Sequence, residues 1–444
     1  MSSPLLRRFL LLASSAAALL ALCLITVSAQ NPPVARHVQQ ERLWDTLQRL
    51  SGFGRNPEGG VSRVGFTEAD IAGRTYVVNL MKEAGLAVRV DAAGNIFGRR
   101  AGSESLPVLL FGSHIDSVPH GGNFDGDVGS LGAIEVVRAL NDGGIHTRHP
   151  LEVVVWSDEE GGRFYSGLFG SSAAAGIVPP EALDTRDEKG ETLGYWLERL
   201  GGDPDHFSAA RIAPGSVASY LELHIEQGAV LDEARIPIGV VQGIVGISVR
   251  TCTAAGFANH AGTTPMDRRQ DALAAASRAV LAVREAVRAE PGRQVGTVGE
   301  LKVEPGAANV IPGRVTFSVE LRDLDAQKLE RIGQRVLERF AAIAREENVH
   351  IECTAPSVHA PALTDARLKD AIRAAASEAG LPTVDLPSGA GHDAQNVARF
   401  APVGMIFVPS RGGISHSPLE YTSPEDAAGG AEVLYRALLR LDAQ

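Results

Sequence analysis

Apolar residues recur along this chain in two rhythms, and the order in which the rhythms alternate predicts its architecture. From about residue 38, "ERLWDTLQRLSGF" and "EADIAGRTYVVNLMKEAGL" carry apolar positions three and four apart, the spacing of one helix face, and Gly85 closes the second. "PVLLFGSHID" and "LEVVVWSDEE" are short continuous apolar runs, the pattern of strands buried on both faces. Between them, "GSLGAIEVVRALNDGG" reads as a helix ending at a glycine pair. Strand, helix, strand is the unit of a parallel sheet, and ligands bind such sheets at the carboxyl ends of the strands.

Near residue 236 the rhythm changes. "IPIGVVQGIVGISVRTCTAAG" alternates like one half-exposed strand, "DALAAASRAVLAVREAVRAE" is helical, and "GRVTFSVELRD" alternates strictly. "LDAQKLERIGQRVLERFAAIAREEN" places Leu329, Ile332, Val336, Phe340 and Ile343 on one helix face. After about residue 360 the first pattern returns, with helices in "DARLKDAIRAAASEAG" and "SPEDAAGGAEVLYRALLRLDAQ" and a strand in "PVGMIFVPS". The expected fold class is α/β. A mostly parallel sheet with helices on both faces spans 30–242 and 360–444, and an α+β domain is inserted at 243–359.

Residues 1–29 stand apart: Arg7 and Arg8 precede a long apolar run that ends at Val27-Ser28-Ala29, a small-residue cleavage pattern. A signal peptide and export, to the periplasm or the secretory pathway, are expected. The only foreseen membrane contact is through this segment if it stays uncleaved. The chain of 444 residues is 44% hydrophobic with net charge -11 and no basic stripe, which excludes nucleic acid as a partner. Cys23, Cys252 and Cys353 form no CxxC pair, so a zinc ribbon or a disulfide framework is excluded. Whether Cys252 and Cys353 pair is left open.

The candidate chemistry lies at the predicted strand ends. "GSHIDSVPHGGNFDGDVG" offers His114, Asp116 and Asp125; "WSDEEGG" offers Glu159 and Glu160; "LELHIEQG" offers His224; "SRGGISHSP" offers His416. Taken one at a time, each is equally an ordinary turn or core residue. Together, histidine and carboxylate on loops at strand ends are the ligand types of zinc, manganese, cobalt or nickel. His114 and Asp116, two apart on a strand end, would share a face, letting the carboxylate orient the imidazole. Of Glu159 and Glu160, one could bind metal and the other act as a base on water.

The stretches "GSHIDSVPHGGNFDGDVGSLGAIE", "WSDEEGGRF", "ELHIEQGAVLD", "GFANHAGTTPMDRRQDAL", "ANVIPGRVTFSVELRD", "SGAGHDAQ" and "GGISHSPLEYT" occur in that order. In them the chain resembles the hydantoinase/carbamoylase (amidase) family of dinuclear metallopeptidase-like enzymes. That family contains N-carbamoyl-L-amino acid hydrolases, allantoate amidohydrolases and β-ureidopropionases. The resemblance implies a metallopeptidase-like catalytic domain with an inserted dimerisation or lid domain, a homodimer through that domain, and two divalent metal ions per subunit. It places His114 and His224 on one metal, Glu160 and His416 on the other, and Asp125 between them, with Glu159 as general base and Asp116 as supporting carboxylate. It assigns Gln227, His260, Asn309 and Arg322 to a small ureido or amide substrate bearing a carboxylate, with Arg322 on the carboxylate. His260 and Asn309, outside the catalytic domain, would reach the site by domain closure or from a partner subunit. The implied reaction is metal-dependent hydrolysis of a linear amide or ureido C–N bond. A peptidase or N-acyl amino acid hydrolase of the same superfamily is the nearest alternative, and a catalytically silent binding protein on this scaffold would lack the ligands.

Overall fold

The computed structural model describes residues 36–165 and 167–444, so the signal segment expected at 1–29 lies outside the described residues. The larger sheet takes β1 (Ala87–Val90), β2 (Ile96–Arg100), β3 (Val108–His114), β4 (Leu151–Trp156), β5 (Val217–Ile225) and β6 (Ile238–Ile244) from the first half of the chain. The chain then leaves for a smaller sheet and a two-stranded ladder. These hold β7 (Gly246–Ala255), β8 (Asn259–His260), β9 (Val295–Thr297), β10 (Leu301–Glu304), β11 (Val310–Ile311), β12 (Arg314–Asp323), β13 (His350–Cys353) and β14 (Ser357–His359). It returns to the larger sheet with β15 (Ala362–Leu363), β16 (Thr383–Ser388) and β17 (Val403–Val408). The longer helices are α1 (Gln40–Leu50), α2 (Glu68–Glu83), α3 (Asp127–Asp142), α4 (Ala272–Arg288), α5 (Ala326–Glu346), α6 (Ala366–Glu378) and α7 (Pro424–Asp442).

The larger sheet runs β1-β2-β4-β3-β5-β17-β6-β15, with β16 beside β6. It is mixed. The central run β4-β3-β5-β17 is parallel, and the flanks β1/β2, β2/β4, β17/β6 and β6/β15 are antiparallel. Alternate residues of the central strands feed two cores: Leu109, Phe111, Val153 and Val155 face one, Leu110, Val154 and Trp156 the other. Two-sided burial is why these strands are continuous apolar runs.

The smaller sheet has its own core under α4 and α5. The alanine-rich face of α4 (Ala272, Ala275, Ala276, Ala279) and the α5 face Leu329, Ile332, Val336, Phe340 and Ile343 are buried there. Asp271 and Asp325 cap these helices by accepting N–H groups of their first turns. Cys252 and Cys353, directly opposed on β7 and β13, form a disulfide. The stretch expected as one strand from residue 236 is two: β6 is buried in the larger sheet, β7 belongs to the smaller, and Val245 separates them. Both halves are rich in Val and Ile, so a change of sheet leaves no mark in the alternation. No helix among the described residues is long and apolar enough to cross a membrane.

Candidate metal centre and active site

The segments leaving the carboxyl ends of β4, β3, β5 and β17 converge, as expected where ligands bind a parallel sheet. His114 closes β3, and Asp125 precedes α3. Glu159 and Glu160 follow β4, His224 is next to last on β5, and His416 follows β17. The turn into α3 passes through Gly126 at φ 66°, where a Cβ would lie 2.4 Å from the His114 ring, so only glycine lets Asp125 come so near that imidazole.

Asp125 is the common partner. Its Oδ1 lies 3.0 Å from His224 Nε2 and 3.7 Å from His114 Nε2. Its Oδ2 lies 3.3 Å from His416 Nε2, which in turn is 3.3 Å from Glu160 Oε2. Two three-ligand sets result, His114–Asp125–His224 and Asp125–Glu160–His416, sharing one carboxylate. Glu159 Oε2 stands 3.9 Å from His114 Nε2, beside the first set.

The donor chemistry fits cations. His114 Nδ1 donates to the Asp116 carbonyl and His224 Nδ1 to the Ile225 carbonyl, so each ring, in the neutral form that binds metal, turns a lone pair at Nε2 toward the Asp125 carboxylate. Without a cation, burial acts to lower the pKa of both rings, but the neighbouring carboxylates outweigh it and raise it. Both Nε2 atoms are buried without a hydrogen bond, as is Glu160 Oε1. Lone pairs facing a carboxylate in a buried site repel unless a positive charge lies between them. A divalent ion ligated by imidazole and carboxylate meets that need.

Among the protein groups themselves, burial raises the Glu159 carboxyl well above the usual range, and the Glu160 charge adds to it. Burial and the Asp125 charge push Glu160 up to about 8. Burial also acts to raise Asp125, but the imidazoles of His224, His416 and His114 outweigh it and hold that carboxyl well below the usual range. His416, hydrogen-bonded to Asp125, is raised to about 9.

Asp116 acts differently from the expectation. Its carboxylate lies 3.6 Å from His114 Nδ1, beyond hydrogen-bond distance, and its backbone carbonyl orients the ring instead, at 3.1 Å. β3 ends at His114, so the alternation that would put both side chains on one face no longer applies. The Asp116 carboxylate accepts the backbone N–H groups of Glu159 (3.1 Å) and Glu160 (2.9 Å). Behind the same loop, the buried Arg63 donates to the Ile115 carbonyl and to both Asp127 oxygens. Nothing in its sequence neighbourhood signals that brace.

A cavity of about 370 Å³ contains the centre and is also lined by Gln227, Arg322 and His392. Gln227 Nε2 donates to Asp125 Oδ2 at 2.6 Å. Arg322 reaches across from β12 and donates through Nη1 to the Gly389 carbonyl at 2.8 Å and through Nε to Glu320 at 2.7 Å. His260 and Asn309 do not line this cavity. They sit close together and exposed, His260 on β8 and Asn309 in the turn just before β11, with Ala261 donating its N–H to the Asn309 carbonyl. His260 Nδ1 accepts the N–H groups of Gly262 and Thr263, which leaves the proton of a neutral ring on Nε2. His392 was given no role by sequence although "SGAGHDAQ" stood out. It is buried, its ring packs 4.4 Å from that of His224, and burial together with the His224 charge lowers its pKa far below the usual value, so it is neutral.

Residues 110–440 match peptidase family M20/M25/M40. An N-carbamoyl-L-amino acid amidohydrolase of Geobacillus stearothermophilus is 46% identical over 405 residues, covering 91% of this chain and 99% of that protein. A ureidoglycolate hydrolase of Arabidopsis thaliana is 38% identical over 408 residues, covering 90% of this chain and 86% of that protein. The crystal structure of a hydantoinase/carbamoylase family amidase from Burkholderia multivorans superposes with a TM-score of 0.86 at 40% identity, over 93% of this chain and 100% of that one. With its ligand sets gathered around one carboxylate, the chain belongs to peptidase family M20/M25/M40 and, within it, to the metal-dependent amidohydrolases of the hydantoinase/carbamoylase type.

Proposed function

We propose that the protein hydrolyses the ureido C–N bond of N-carbamoyl-L-amino acids or closely related ureides, releasing ammonia and carbon dioxide. The observation that carries this reading is one carboxylate, Asp125, shared by two ligand sets, with Glu159 beside His114 of the first set and the Arg322 guanidinium on the wall of the same cavity. His114, Asp125 and His224 would hold one divalent ion and Asp125, Glu160 and His416 a second. Such ions lower the pKa of water and polarise a carbonyl. Arg322 pairs with the substrate carboxylate and fixes the ureido group over the centre. Glu159 takes the proton of the attacking water and returns it to the leaving nitrogen. His392, neutral and buried at the cavity wall, can hydrogen-bond the substrate without adding charge.

The Cys252–Cys353 disulfide supports an exported protein, since such bonds persist in oxidising compartments. The exposed Phe257, Met266 and Leu281 of the smaller unit support a homodimer through it. The test is ammonia release from N-carbamoyl-L-amino acids, allantoate, β-ureidopropionate, N-acetyl amino acids and dipeptides, on metal-stripped protein resupplied with zinc, manganese, cobalt or nickel. Turnover of ureides that is abolished by chelation and restored by a metal is expected. Turnover of dipeptides alone, or turnover indifferent to chelation, refutes the reading.

A further inference from the structure

Asp125 and His416 come to the centre from opposite halves of the chain, and neither sits on a strand. Both are held by one side chain. The carboxylate of Glu420 is buried; its Oε1 accepts the backbone N–H of Phe124 at 2.9 Å and of Asp125 at 3.0 Å. Its Oε2 accepts the Ser415 hydroxyl at 2.8 Å and the His416 N–H at 3.3 Å. The chain is shaped to admit it: a Cβ at position 122 would lie 2.0 Å from Oε1, so any residue there but Gly122 would displace the carboxylate. By contrast, His114 and His224 are fixed by the ladders of β3 and β5 and do not depend on Glu420.

We propose that Glu420 is a positioning residue that sets the distance between the two cation subsites, by clamping the Asp125 and His416 loops to the two oxygens of a single carboxylate. This rests on reading Asp125 and His416 as metal ligands. His416 is half-exposed in a glycine-containing loop, so the subsite formed with Glu160 is the one that loosens when the clamp is removed. Residues that orient metal ligands from outside the coordination sphere alter affinity by about 10- to 100-fold when replaced.

The test uses the full chain, stripped of metal and titrated with cobalt(II). Bound ions are counted by elemental analysis, the visible spectrum of the cobalt is followed, and circular dichroism monitors folding. The wild type should bind two ions per subunit. Glu420→Ala should retain one and bind the second about 10- to 100-fold more weakly. Glu420→Gln keeps an acceptor oxygen for one loop only and should fall between. Gly122→Ala leaves Glu420 in place chemically but pushes its carboxylate away, and should reproduce the weakened second ion. Folded Glu420→Gln and Gly122→Ala proteins that bind both ions as the wild type does, or that lose both together, overturn the proposal. A wild type that binds fewer than two ions instead overturns the two-ion reading beneath it.

Discussion

Oδ2 of Asp116 accepts the backbone N–H of Glu160 at 2.9 Å, and through that bond the loop after β3 holds the turn after β4. Oδ1 does the same for Glu159. Asp116→Ala therefore leaves two buried N–H groups without their acceptor, each costing about 1–3 kcal/mol. The expected result is a folded but less stable protein whose turnover falls by about 10- to 100-fold. Asp116→Asn, which keeps one acceptor oxygen, should be milder. Thermal denaturation and kcat measured together check this, and unchanged kcat in Asp116→Ala would remove Asp116 from the machinery.

Glu159→Gln should keep its metal content and lose about a hundredfold to ten-thousandfold in kcat, the range for loss of a general base. Elemental analysis of the purified variant beside its steady-state rate separates the two effects. If the variant turns over as the wild type does, the base lies elsewhere.

Arg322→Lys keeps the charge but not the planar pair of donors that matches a carboxylate. KM for N-carbamoyl amino acids should rise about tenfold or more, while the matching amides, lacking the carboxylate, change little. Equal losses on both substrate sets would contradict a carboxylate clamp.

Asp91, which belongs to neither ligand set, supplies a pH dependence of stability. Burial raises its carboxyl to about 6, even though Ala93 and Asn95 donate N–H groups to it. The folded protein thus holds this proton more tightly than the unfolded chain, whose carboxyl titrates near 3.8. The associated stability is fully present below about 4 and is lost as pH rises through about 6. Asp91→Asn removes that titration. The stability of the wild type relative to Asp91→Asn should therefore decline between pH 4 and pH 7, within that window. Parallel melting curves across the range would show that Asp91 does not titrate in this way.

The residues visible in the sequence and those that are not differ in kind. β3, β4 and the inner face of α5 were legible because burial imposes a periodic pattern on neighbouring residues. His114, Asp125, Glu159, Glu160, His224 and His416 were legible because ligand-type side chains cluster at strand ends, and the family resemblance sorted them into sets. Arg63 and Glu420 were not, because each acts on backbone atoms of distant segments: Arg63 on the Ile115 carbonyl, Glu420 on the N–H groups of Phe124 and Asp125. An isolated arginine or glutamate has no local pattern that records such a partner. β1 was missed for another reason: it is four residues long, and the alternation of half-buried Val88 and Val90 with exposed Ala87 and Arg89 is too short to stand out.

Arg322 stands on the smaller sheet, while its bond to Gly389 reaches the larger one. That bond and the one to Glu320 engage two of its five N–H groups. A carboxylate held by the remaining donors would join a side chain that already bridges the two sheets, and its charge would strengthen that bridge. An uncharged analogue would leave the bridge as it stands.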